Sequence, residues 1–233
     1  GLIYKPQPNL SLYASYSQSY LPRAGDQLAG LTLANSALEP EAFRNQEVGI
    51  KWDLKPNLAL TLATYRLDRT NVAVASPVDP TQLILVDGQS SSGLELGLNG
   101  TLRPGWTIAG GYAYQDGEIT QTQSATAKAG ARLAQLPKQS LSLWNRVEVT
   151  SQLALGLGLL HRSDQYTSTD NSVTLAGYSR VDGAIFWRVN PHLKAQLNIE
   201  NLFDVGYFAS AHNNNNITPG SPRAVKLTLS AAL

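Results

Sequence analysis

Cysteine is absent from the 233 residues, and with it go disulfide scaffolds, thiolate metal sites and thiol nucleophiles. Methionine is absent too, and the chain opens on Gly1-Leu2-Ile3-Tyr4 without basic n-region, apolar h-region or cleavage site, which reads as a piece whose start lies elsewhere. An excess of one charge sign is also lacking. Eighteen basic residues face seventeen acidic ones, a net charge of +1, so no basic field draws nucleic acid and no acidic field draws cationic partners. The longest hydrophobic run, Leu153 to Leu160, is eight residues, against the roughly 18 that a transmembrane helix needs. A helical membrane protein is therefore excluded. Membrane barrels pass this test, because each strand needs only about 9 to 11 residues with one apolar face.

What is there is alternation, which puts successive side chains on opposite faces of a strand. Leu193, Ala195, Leu197 and Ile199 oppose Lys194, Gln196, Asn198 and Glu200; Val48, Ile50, Trp52 and Leu54 oppose Glu47, Gly49, Lys51 and Asp53. Leu94, Leu96 and Leu98 oppose Glu95, Gly97 and Asn99, and Leu141, Leu143, Val147 and Val149 oppose Ser142, Trp144, Arg146 and Glu148. Leu153, Leu155, Leu157 and Leu159 oppose Ala154, Gly156 and Gly158, and Val225, Leu227 and Leu229 oppose Lys226, Thr228 and Ser230. The pattern predicts ten strands, with the end of another at Leu2 to Tyr4.

Compact turns recur at Lys5-Pro6-Gln7-Pro8-Asn9, Lys55-Pro56-Asn57, Arg103-Pro104-Gly105, Thr150-Ser151-Gln152 and Asn190-Pro191-His192. Longer polar segments fall between them, at about 21–43, 70–90, 118–137, 163–177 and 204–221. Short turns at one end and long loops at the other describe outer-membrane barrels. Trp106, Tyr112, Tyr114, Trp52, Trp187, Tyr16, Tyr20 and Tyr178 lie near strand ends, where interfacial girdles sit. Alternation alone leaves open whether the oily face meets lipid or a dry core. The charges on the opposite faces favour a wet lumen, since a lipid-facing Lys or Arg costs roughly 2 to 4 kcal/mol at the bilayer midplane.

Four ordered motifs resemble TonB-dependent siderophore receptors of the Gram-negative outer membrane, over nearly the whole chain. Leu38-Glu39-Pro40-Glu41 followed by Gln46-Glu47-Val48-Gly49-Ile50-Lys51 is similar to an L-x-P-E then Y-E-x-G-x-K signature, with Gln46 in place of the aromatic. Ser92-Gly93-Leu94-Glu95-Leu96 with Gly110-Gly111-Tyr112-Ala113-Tyr114-Gln115-Asp116 resembles the family's G-x-E strand and Y-x-Y-x-D ending. Asn201-Leu202-Phe203-Asp204 with Tyr207 resembles N-L-F-D/N-x-x-Y, and Pro219-Gly220-Ser221-Pro222-Arg223 the start of the closing strand. The segment Tyr207 to Gly220 looks like receptors for catecholate siderophores. The terminus Ala231-Ala232-Leu233 departs from the aromatic end usual in outer-membrane barrels.

The resemblance implies an all-β, antiparallel transmembrane β-barrel portion, about ten strands of a barrel of about 22, forming a curved and open sheet by itself. Residues 1–233 would be the C-terminal part of the barrel domain, with the plug domain and TonB-contacting box outside it. It implies outer-membrane uptake of ferric siderophores driven by TonB, by a monomer embedded in lipid, with no nucleic acid, no enzymatic activity and no resident cofactor or metal, the iron arriving chelated. A barrel protease or lipase and a passive porin are the alternatives. An anionic ferric catecholate calls for cationic donors and aromatic surfaces at the outer mouth. Tyr20, Arg23, Tyr114, Arg162, Tyr166, His212 and Asn213 are the expected ligand-binding residues; girdle or loop surface is the plainer role for each.

His161, Asp164, Ser163 and Ser168 carry the residue types of a hydrolase, but no nucleophile elbow surrounds them and they read as solvated loop. His161, His192 and His212 are widely separated and lack a carboxylate at ligand spacing. Gly156-Leu157-Gly158 lies inside a strand with no following helix, so it is not a dinucleotide motif.

Overall fold

A computed structural model describes residues 1–22, 38–76, 78–79 and 81–232. Every regular element in it is a strand: β1 (Leu2–Gln7), β2 (Leu10–Leu21), β3 (Glu41–Lys55), β4 (Leu58–Thr70), β5 (Val72–Ala75), β6 (Leu83–Val86), β7 (Gln89–Arg103), β8 (Trp106–Ile119), β9 (Gln139–Glu148), β10 (Leu153–Arg162), β11 (Gln165–Tyr166), β12 (Thr174–Leu175), β13 (Tyr178–Arg188), β14 (Leu193–Glu200), β15 (Phe208–Asn213), β16 (Asn216–Pro219) and β17 (Ala224–Ala231). Eleven form one antiparallel sheet in the order β1-β2-β3-β4-β7-β8-β9-β10-β13-β14-β17. The alternating segments and the partial strand at Leu2 account for all eleven. The pairs β5-β6, β11-β12 and β15-β16 are small hairpins within the long loops, and the first is built from the wholly apolar Val72–Ala75 and Leu83–Val86 inside a segment expected to be a polar loop.

The short turns close for local reasons. Pro104 followed by Gly105 at φ +77° suits a two-residue hairpin, and the Gly105 carbonyl accepts from the Glu148 amide at 2.7 Å. Asn190 Oδ1 accepts from the amides of His192 and Leu193, both at 2.9 Å, and Thr150 Oγ1 accepts from those of Gln152 and Leu153. These side chains supply the backbone partners that a tight reversal leaves unpaired.

Register settles which parity faces where. Leu157 lies opposite Asn145 and Gly183, and Gly158 opposite Trp144 and Asp182. On the odd-numbered face of β10 Leu155 and Leu157 are 45% and 55% exposed, whereas the even face is covered by Trp144. A Cβ on Gly156 would lie 2.5 Å from the Trp144 ring, so this glycine is the room the indole needs. The leucines therefore point to lipid and the glycines to the lumen. The same division carries Leu227, Leu229, Ile185 and Trp187 outward and Lys194, Gln196, Lys226 and Thr228 inward.

Trp52, Trp106 and Trp187 face outward near the short turns, while Tyr16, Tyr20, Tyr112 and Tyr114 face outward toward the loop end. These are two girdles. Tyr178 is the exception among the expected girdle residues. It shares the lumenal parity of Arg180, and its ring stacks on Tyr207 with centroids 4.3 Å apart.

The sheet does not close: β1 pairs only with β2, and β17 only with β14, among the described residues. Each terminal strand thus offers a row of backbone groups to a further strand, a requirement in lipid, where unpaired groups cost several kcal/mol.

Candidate functional site

The lumenal wall and the loops above it hold the polar chemistry. On the wall, Glu95, Gln115, Ser140, Ser142, Leu160 and Arg162 line, with Pro137, an open recess of about 440 Å³. Gln115 Nε2 donates to the Pro137 carbonyl at 3.1 Å, and the Tyr65 hydroxyl donates to Gln115 Oε1 at 3.3 Å. Arg162, last residue of β10, is exposed and makes no ion pair or side-chain hydrogen bond among the described residues. It is a cation facing the lumen at the loop end.

The loops form one assembly. Thr167, 1% exposed, donates to the Val173 carbonyl and to Asn214 Oδ1. Asn214 Nδ2 in turn donates to Asp170 Oδ2 at 2.8 Å and Ser172 Oγ at 3.0 Å, locking the β15-β16 hairpin onto the β11-β12 loop. Asp170 also accepts from the Ser172 amide and hydroxyl, and these bonds, the amide first, hold its carboxyl below the usual carboxylate range. Asn171, at φ +54°, exchanges hydrogen bonds with the Arg132 backbone at 2.8 and 2.9 Å. The Arg132 guanidinium lies 5.6 Å from the Tyr166 ring centroid, and the Gln135 amide donates to the Tyr166 carbonyl.

Beneath this assembly, Arg180 donates to Glu200 at 2.6 Å, Asp182 at 2.9 Å and the Tyr207 hydroxyl at 2.7 Å. Asn201, fully buried at φ +52°, donates to the carbonyls of Val205 and Ser221 and accepts from the Val205 amide. Asp182 accepts from the Asn201 amide, and Asp204 Oδ1 from the Arg223 amide at 2.7 Å. The two terminal sequence motifs thus clamp the ends of the 201–223 loop to one another.

The expected ligand-binding residues divide. Tyr166, His212 and Asn213 belong to the loop assembly, and Arg162 leads into it from the lumen wall. His212 and Asn213 are exposed at the hairpin tip and 3.4 Å from each other. Tyr20 and Tyr114 are not brought to them: both carry outward parity, 59% and 44% exposed on the lipid-facing wall. Their alternation with Tyr16 and Tyr112 was the available signal. Arg23 lies outside the described residues. Asn214, Arg180 and Arg132 were missed, because four consecutive asparagines look alike in sequence and pairings across 47 or 39 residues leave no local trace. His161 Nδ1 meets Ser179 Oγ at 2.9 Å, while among the described residues Ser163 bonds only backbone, so the hydrolase-like residues are not brought together there.

Residues 1–202 match the family model described as TonB dependent receptor-like, beta-barrel. The chain is 32% identical to the Probable TonB-dependent siderophore receptor PiuA of Acinetobacter baumannii, over 98% of its length and 33% of the relative's. It is 28% identical to the Catecholate siderophore receptor Fiu of Escherichia coli strain K12, over 98% of its length and 31% of that protein's. The crystal structures of the siderophore receptor PiuA and of the closed form of Fiu each superpose with a TM-score of 0.87, at 31% and 27% identity, on 98% of this chain and 34% of theirs. The chain thus spans about a third of the length of the curated relatives it matches. Strand order, wall parity and family match agree: this chain belongs to the TonB-dependent receptors and is a part of their outer-membrane β-barrel.

Proposed function

We propose that the receptor to which this chain contributes takes up ferric siderophores of the catecholate class, with energy delivered through TonB. The observation that carries the reading is Arg162, a cation on the lumenal wall with no ion-pair partner among the described residues, four residues before Tyr166 in the loop assembly. A ferric catecholate is a polyanion with aromatic faces, so a free guanidinium below an aromatic-bearing loop offers charge and stacking together. Relatives named as a siderophore receptor and a catecholate siderophore receptor support the same class. The iron is cargo held by its chelator, and no covalent step is required of the protein.

The test uses the full-length receptor and the ferric complex of 2,3-dihydroxybenzoate. Arg162→Gln should weaken binding about tenfold, the loss of one charge-assisted contact of ~1.5 kcal/mol. Uptake should vanish in cells lacking TonB. Undiminished uptake there would identify a passive pore and sink the proposal.

A further inference from the structure

The lumenal wall becomes more cationic toward the short turns, the end that faces the periplasm. In the last lumenal row before those turns, Arg188 on β13 lies directly opposite Lys194 on β14, which in turn lies opposite Ser230 on β17. Like charges facing each other across a strand pair oppose the pairing. Neither cation has an ion-pair partner among the described residues, and Lys226, farther up the same face, has none either.

Arg188 and Lys194 line one recess of about 490 Å³, together with Arg146, Phe186, Gln196 and Ser230. Glu148 is the one carboxylate among its described lining residues, and Arg146 holds it at 3.0 Å. The same guanidinium lies 5.4 Å from the Phe186 ring centroid, so the recess is floored by an aromatic face with a cation stacked on it. Arg188 and Lys194 are left as uncommitted donors, with the Ser230 hydroxyl beside them. An anion seated between the two cations removes their repulsion and accepts charge-assisted hydrogen bonds from both. The volume falls in the range of roughly 300 to 1,000 Å³ usual for small-molecule sites and exceeds what a carboxylate side chain fills.

We infer that this recess is an exit station, a second site at which the transported anion rests on the lumenal wall before it leaves for the periplasm. The inference rests on the function proposed above, since it takes the cargo to be an anionic chelate with aromatic faces. Arg162, where that cargo first meets the wall, shares the lumenal face with the recess. From Arg162 to Ala154, which faces Phe186, is about 27 Å along β10 at ~3.4 Å per residue. The cargo thus passes from one uncommitted cation at the loop end to Lys226, Lys194 and Arg188 at the turn end. These three are exposed, so water and salt screen them and the anion is held loosely enough to depart.

The full-length receptor in cells, given radioactive iron as its 2,3-dihydroxybenzoate complex, tests the station by separating binding from delivery. Arg188→Gln/Lys194→Gln should leave binding to non-energised cells unchanged and lower the maximal rate of TonB-driven uptake by about threefold or more. The swap Arg188→Lys/Lys194→Arg keeps both charges and should recover most of that rate. A receptor whose only cysteine is Ser151→Cys, on the turn that lines the recess, should react with a periplasmic thiol reagent about twofold more slowly while cargo is being transported, and at its resting rate without cargo or without TonB. Wild-type uptake by the neutral variant would overturn the proposal. Loss of surface binding along with uptake, or failure of the swap to recover, would overturn it by marking a structural role. A labelling rate indifferent to cargo would also overturn it; if slow throughout, the receptor itself covers the recess. Uptake that persists without TonB is a different failure, because it sinks the proposed function first and is read in the wild type.

Discussion

Asn201 is the sharpest structural lever in the chain. It is completely buried, its φ of +52° lies in the left-handed region, and its amide makes three hydrogen bonds with Val205 and Ser221. Replacing it with alanine removes three bonds of ~1 kcal/mol each and places a Cβ-bearing residue without local compensation at positive φ, roughly 1 kcal/mol more. The local opening free energy of the 201–223 loop base should fall by about 4 kcal/mol, close to 10³-fold in an equilibrium constant. Asn201→Gly keeps the backbone relaxed and loses only the bonds, so it should cost about 3 kcal/mol, near 10²-fold. Hydrogen exchange in the full-length receptor reads both. The informative amides are Leu202, which donates to Val181, and Arg223, which donates to Asp204, because neither bonds Asn201 itself. If Asn201→Ala accelerates Arg223 exchange by less than tenfold, or Gly proves worse than Ala, the account of the clamp is refuted.

The wall predicts a parity contrast: Leu227→Arg should destabilise the barrel by about 2 to 4 kcal/mol, while Thr228→Arg next to it should be nearly neutral, as measured by urea unfolding in lipid vesicles. Gly156→Val should cost about 1 to 3 kcal/mol in the same assay by driving the Trp144 ring from its seat, and Gly183→Val much less, since nothing lies within 4 Å of its Cβ position. Asn214→Ala should release the β15-β16 hairpin from the β11-β12 loop, visible as faster exchange at Thr167 with the wall strands unchanged. The depressed carboxyl of Asp170 makes that lock pH-dependent. Its contribution is fully present above the ordinary carboxylate pKa and is lost as pH falls through the lower folded value, so loop exchange should quicken in acid, and Asp170→Asn should flatten the profile.

The wall was legible because a strand of period two writes its orientation into composition. In β14 every apolar residue has one parity and every polar residue the other, so lipid and lumen are separated before any pairing is known. The same rule was available for two residues expected at the ligand mouth. Tyr20 continues Leu10, Leu12, Ala14 and Tyr16, and Tyr114 continues Trp106, Ile108 and Tyr112, both on the oily face. Loop position suggested a mouth, whereas parity pointed to a girdle. Tyr178 shows the converse: its even number, shared with Gly158 and Arg180 in register, puts it inside, although its place at a strand end fits an interface.

Loop chemistry follows another logic, since what fixes Asn214 or Arg132 is a partner dozens of residues away and no period records it. The motifs mark these places indirectly. Asn201 to Tyr207 and Pro219 to Arg223 contain the asparagine that tolerates positive φ, the aspartate that receives the Arg223 amide, the tyrosine that meets Arg180, and Gly220, where a Cβ would lie 2.2 Å from the Tyr207 ring. Each is a residue type that its position cannot exchange without losing a hydrogen bond or forcing a clash. Such motifs therefore report how the last loop is anchored, whereas Arg162 on the wall and the exposed His212 and Asn213 at the hairpin tip, which the proposed function would assign to ligand, make no contact with that anchor among the described residues.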